Sequence, residues 1–220
     1  MTLEITGNTI FGTSGVFQHG VYSFYKENGY YRRTAVTLKH WDIYTSDNQG
    51  KGEIQFYSNS HARIRGEGIR NSNSFNDAMM TTNKDLKGKD FFASCVYGGM
   101  VIDRGGSYEA QLFSVYLMKG STQQITLLHD NYLIDAATGA KTGGGMWIRG
   151  WWTGTVLNYI YCFQAGDNNS IVNSGTLDFG TDTCGLRFRI NKYQGSNAVE
   201  GYMHIPPIII MPYDNNINEI

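Results

Sequence analysis

Charge is scarce in this 220-residue chain. Asp, Glu, Lys and Arg together make up 17%, against roughly 25% in an average soluble domain. With so few charges to keep surfaces apart, much of the surface is expected to be covered by partner subunits. The charges nearly cancel, 18 Lys and Arg against 19 Asp and Glu. No overall basic field exists, which argues against nucleic acid as a partner. Arg63, Arg65 and Arg70 read as the charged rim of a β-protein. There are 3 prolines and 3 cysteines. Cys95, Cys162 and Cys184 are odd in number and lack C-x-x-C spacing, which argues against a disulfide framework or a zinc site. They read as small buried hydrophobes, with pairing between two of them or between chains left open. No apolar run approaches the roughly 20 residues of a membrane helix, so no membrane span is expected. The start, "MTLEITGNTIFG", has neither the basic nor the apolar region of a signal peptide. The chain is expected to be made in the cytoplasm and to reach the outside by assembly into a particle or by lysis.

Catalytic motifs are also missing. "GTSG" at 12–15 has the wrong spacing for a nucleophile elbow, and no Walker A or dinucleotide-binding pattern occurs. His19, His40, His61, His129 and His204 are scattered, without the close spacing of a cupin-type metal site. Asp42, Asp103, Glu109, Asp130 and Asp135 lie in or beside strand-like segments, but nothing in sequence pairs two of them as a glycosidase requires. "GDNNS" at 166–170 and "DFGTD" at 178–182 read as Asx turns rather than Ca²⁺ loops. No cofactor, no metal and no catalysis are expected.

What is abundant points to β-structure: 15 Tyr, 11 Phe and 27 Gly, residues suited to strands and tight turns. "VYSFYKENGYYRR", 21–33, has the Asn28-Gly29 signature of a two-residue hairpin. "KHWDIYTSDNQGKGEIQFYSN", 39–59, predicts a second hairpin, with Ile54 and Phe56 alternating against Glu53, Gln55 and Tyr57. "SYEAQLFSVYLM" and "QQITLLHDNYLI", joined by "KGST", predict a third. Its first strand is apolar on both faces, as in a central strand. In "CGLRFRINKY", Leu186, Phe188 and Ile190 face one way and Arg187, Arg189 and Asn191 the other. Residues 71–90 are mostly polar and read as a long connection in which "FNDAMM" forms at most one short helix. This segment divides the chain into a 1–70 hairpin region and a 91–220 sandwich, within a single β-rich domain 1–220. Pro206 and Pro207 keep the tail from being a central strand. It reads either as an apolar arm across a neighbour or as the closure of its own domain. Together these features predict an all-β, antiparallel β-sandwich, jelly-roll-like, with long loops.

"GGGMWIRGWWTG", 143–154, holds three of the four tryptophans. On an extended strand Met146, Ile148, Gly150 and Trp152 share one face, which reads as core. Trp147, Arg149 and Trp151 share the other. Aromatic, cation, aromatic suits a subunit interface, packing within the chain, or a sugar ring. These three are the candidate binding residues. The glycines before them read as the end of a loop that begins near Asp135.

The segments "ITGNTIFGTSGVFQHGVYSFY", "LIDAATGAKTGGG" and "RINKYQGSNAVEGYMHIPP" resemble bacteriophage virion proteins, especially tail-fibre and receptor-binding tips. The resemblance is one of texture and carries no functional residue across. It implies a homo-oligomer, favouring a trimer, that packs with other virion proteins and touches a cell-surface glycan. The alternatives are a free carbohydrate-binding lectin-like module and a polysaccharide-degrading hydrolase.

Overall fold

The computed structural model describes residues 9–11, 17–22, 29–46, 51–57, 61–68, 77–103, 109–134, 143–165, 170–192 and 198–211. Two antiparallel sheets, one of eleven strands and one of six, form an all-β sandwich. Strands are numbered along the chain. The larger sheet is built on the 14-residue β9 (Asp90–Asp103). One edge of β9 pairs with β12 (Gly143–Thr153), followed outward by β13 (Val156–Ala165) and β14 (Ile171–Asp178). The other edge carries two strands end to end. β16 (Ala198–Ile205) leads on to β7 (His61–Gly68), β6 (Lys51–Tyr57) and β3 (Gly29–Arg32). β17 (Ile208–Met211) leads to β2 (Phe17–Tyr22) and β1 (Thr9–Phe11). The smaller sheet runs β11 (Thr122–Ile134), β10 (Glu109–Lys119), β15 (Cys184–Lys192), β8 (Asp77–Thr82), β5 (Trp41–Thr45) and β4 (Thr34–Thr37).

The core is the set of alternate residues that the two sheets turn toward each other. Trp41, Ile43, Ala78, Met80, Leu186, Phe188 and Ile190 from the smaller sheet meet Ile54, Ile64, Phe91, Ile148 and Met203 from the larger. Trp41 and Phe188 meet edge to face, their rings 6.2 Å apart, a geometry that aromatic pairs favour. On β15, Leu186, Phe188 and Ile190 are fully buried, as the alternation predicts. Ser114, Tyr116 and Met118 on the second face of β10 are buried too, so that strand is covered on both sides.

The β10–β11 hairpin forms across "KGST" as predicted. Of the first, residues 23–28, Asn28 included, lie outside the described residues; β2 pairs with β1 and β17, and β3 with β6. The second does not form. β5 and β6 belong to different sheets. Just after β5 the Ser46 amide donates to the Asp77 carbonyl at 2.8 Å. Ile54 and Phe56 face the core as predicted, but Glu53 is buried rather than solvated. The reading of 71–90 as a connecting loop with a helical turn also fails: Asp77–Thr82 is a strand between β15 and β5. Ala78, Met80 and Thr82 of this strand point inward. Strands from before and after this segment share both sheets. No helix occurs among the described residues. Pro206 and Pro207 mark a break between β16 and β17 rather than the start of an arm. Ile208 is fully buried, so this part of the tail closes its own sheet.

Candidate functional site

The strand β12 sorts the tryptophans as its period of two demands. Met146, Ile148 and Trp152 point into the core, and Trp152 is only 4% exposed. Its indole meets Phe179 edge to face at 5.2 Å and donates to the Lys89 carbonyl at 3.1 Å. Its amide donates to Asp90 Oδ1 at 3.2 Å. Burial of Asp90 holds its carboxyl above the usual range, against the opposing pull of that amide and of Arg149. Glycine is required where neighbours crowd the backbone. A Cβ on Gly150 would sit 2.6 Å from the Phe91 ring, and one on Gly144 would collide with the Tyr97 hydroxyl. Gly143, Gly144 and Gly145 therefore belong to the strand, paired with Gly98, Tyr97 and Val96, and are not the end of a loop.

Trp147, Arg149 and Trp151 stand on the outer face of the large sheet. The Arg149 guanidinium lies over the Trp151 ring at 5.8 Å, while Trp147 stacks against Phe92 at 6.2 Å. The ladder places further apolar groups beside them. Arg149 is flanked by Phe92 and Ile160, and Trp147 by Ser94 and Cys162. Cys162 in turn neighbours Val172, and Phe92 neighbours Ile209. Exposure reaches 56% at Val96, 57% at Val172, 40% at Ile209 and 36% at Trp151. The sequence pointed to the three β12 residues and missed the rest of the face. The alternation in "FFASCV" separates Phe92, Ser94 and Val96 from Phe91, Ala93 and Cys95, but both sets are apolar, so the pattern does not show which one meets solvent. Among the described residues β14 pairs only with β13. Its free edge bears Ile171 and Val172 without a proline or a lysine, the devices that usually protect such an edge.

Farther along this face, Tyr57 stacks on His61, His61 lies 4.8 Å from His204, and Arg63 lies over Tyr57. Burial, reinforced by Arg63, holds both histidines below the usual imidazole range. Of the five acids in strand-like segments, the side chains of Asp103, Glu109, Asp130 and Asp135 lie outside the described residues. Asp178 Oδ1 accepts the Gly180 amide at 2.9 Å, an Asx turn. Among the described residues no group of three His, Cys, Asp or Glu is placed to hold a metal.

The thiols differ in access. Cys95 and Cys184 are buried; burial pushes Cys95 up to about 12 and Cys184 higher still. Cys162 is half-buried on the outer face. In the folded monomer a maleimide is expected to modify one thiol of the three, Cys162, and to reach the other two only on denaturation. Mass spectrometry before and after urea reads the difference.

No family model matches the chain, and no curated protein sequence does. Among solved structures it is similar to the lectin from Bauhinia forficata in complex with GalNAc, with 7% identity, a TM-score of 0.39, and coverage of 82% of this chain and 97% of that one. A likeness of that size says nothing about what this chain binds.

Proposed function

We propose that the chain is a non-catalytic virion structural or attachment protein that assembles with copies of itself through the outer face of the large sheet. The observation that carries this reading is the exposed apolar surface running from Ile209 across Phe92, Trp147 and Trp151 to Val172, continuous with the open edge of β14. Monomeric proteins rarely leave such surfaces uncovered. Trp and Arg are also enriched among the residues that anchor interfaces. The virion setting and the trimer come from the texture of the sequence. A lectin-like use of this face has less support, because Arg149 already occupies one side of the Trp151 ring. A hydrolase would need two facing carboxylates, and Glu53, an acid on this face, is held by Tyr30 and Arg65.

Mass photometry and sedimentation at micromolar concentration test the reading. The wild-type chain is expected to be oligomeric. Trp151→Asp combined with Val172→Asp is expected to weaken assembly by about thirtyfold or more, the equivalent of one interface hot spot, with the thermal unfolding of the monomer preserved. A stable wild-type monomer overturns the proposal.

A further inference from the structure

A cleft of about 460 Å³ opens on the outer face of the smaller sheet, on the opposite side of the sandwich. Small-ligand sites typically measure roughly 300–1,000 Å³. Thr81 of β8 and Arg187 of β15 lie at its floor, Asp42 and Tyr44 of β5 along one side, and Asn83 and Lys84 at one end. Arg187 Nε donates to Thr81 Oγ1 at 3.0 Å, which positions the guanidinium. Neither Arg187 nor Lys84 forms an ion pair with a described residue. Asp85 Oδ1 is already engaged, accepting the amides of Lys87 at 2.9 Å and Cys184 at 2.8 Å. Asn83 donates to the Leu38 carbonyl at 2.7 Å, while its own Oδ1 is buried with no hydrogen-bond partner among the described residues. The Tyr44 ring is 40% exposed.

We propose that this cleft binds an acidic sugar, a ring bearing one carboxylate and several hydroxyls. Arg187 and Lys84 take the carboxylate, the guanidinium fork matching its two oxygens. The Tyr44 ring meets the apolar side of the sugar, and Asp42 accepts hydrogen bonds from its hydroxyls. A polyphosphate fits less well, because Asp42 and Asp85 repel multiple negative charge.

The full chain is titrated by calorimetry with glucuronic acid and N-acetylneuraminic acid, with glucose and inorganic phosphate as comparisons. An acidic sugar is expected to bind saturably and at least about tenfold tighter than glucose. Lys84→Ala and Tyr44→Ala, both surface truncations, are expected to weaken binding about tenfold each and to leave the thermal transition in place. The proposal is overturned if neither acidic sugar binds saturably, if glucose binds equally well, if phosphate binds more tightly, or if both variants bind as the wild type does. The cleft and the assembly face share no residue, so a failure here leaves the oligomer measurements untouched.

Discussion

Trp152→Ala is expected to lower the unfolding free energy by about 3–5 kcal/mol, the usual cost of deleting a buried aromatic side chain. Trp151→Ala, one residue away, is expected to change that of the isolated chain by at most about 1 kcal/mol. The contrast follows from the pleat. The Trp152 indole fills the space against Phe179, between the sheets, and its N–H is bound to the Lys89 carbonyl. Truncation leaves a cavity and also orphans that carbonyl, so a transfer term, a packing term and a polar term all act in one direction. Trp151 stands on the solvent side, where its described contacts are the Arg149 guanidinium and a carbonyl that accepts Asn158 Nδ2 at 3.4 Å. An exposed cation–π pair contributes roughly 0.5–1 kcal/mol at most. Urea unfolding at a protein concentration low enough to keep the chain monomeric separates the two, with the m-value expected to stay constant. A larger loss for Trp151→Ala than for Trp152→Ala would mean that β12 presents its faces the other way round.

The same pleat explains what the sequence disclosed and what it withheld. A period of two depends only on neighbouring residues, so the inward sets on β12 and β15 could be read directly. Turn chemistry is equally local, but it identifies a change of direction and not the strand that the chain meets next. At 39–59 the strands on either side of the polar stretch lie in different sheets, with Trp41 and Ile43 on one and Ile54 and Phe56 on the other all in the core. At 77–82 the outward set Asp77, Met79 and Thr81 and the inward set Ala78, Met80 and Thr82 each mix polar and apolar residues, so no clear alternation marks a strand. Arg189 offsets the buried charge of Asp77 through a two-pronged bond at 2.9 and 2.6 Å. A strand whose acid is neutralised by a distant partner looks like a loop until that partner is known. The candidate face shows the same limit. Trp147, Arg149 and Trp151 are visible from their spacing, whereas Val96, Val172 and Ile209 join them only through ladder pairing between strands far apart in sequence. Of the cleft residues, Asp42 and Arg187 are visible as an acid and an outward cation in strand-like segments, but nothing local joins them.

Long-range pairing also sets the second large effect, at Glu53. This side chain is 4% exposed, an expensive place for a carboxylate. Burial pushes its pKa up. Hydrogen bonds from the Tyr30 hydroxyl and from Arg65 Nη1 at 3.1 Å, together with the charges of Arg65 and Arg63, outweigh that and hold it below the usual carboxylate value. A carboxyl with a lowered folded pKa contributes stability above its unfolded value, near 4.5, and loses it as pH falls through the folded value. Arg65→Met keeps the aliphatic stem packed and removes the main counter-charge. Burial then dominates, and the folded pKa rises above the unfolded one. In that state the carboxyl favours folding at low pH and opposes it as pH climbs through the raised value, the reverse of the wild type. At pH 7 the variant is expected to be less stable by about 3 kcal/mol, the low end for breaking a buried pair, because the guanidinium end of Arg65 is partly solvated. From pH 7 down to about pH 4.5 the Glu53 contribution in the wild type is expected to hold and to be lost only below that, while the variant regains stability as its raised carboxyl protonates, so the two curves converge as pH falls. Urea midpoints across that range measure the convergence. Parallel curves would show that the Tyr30 hydroxyl and Arg63 keep Glu53 ionised without Arg65.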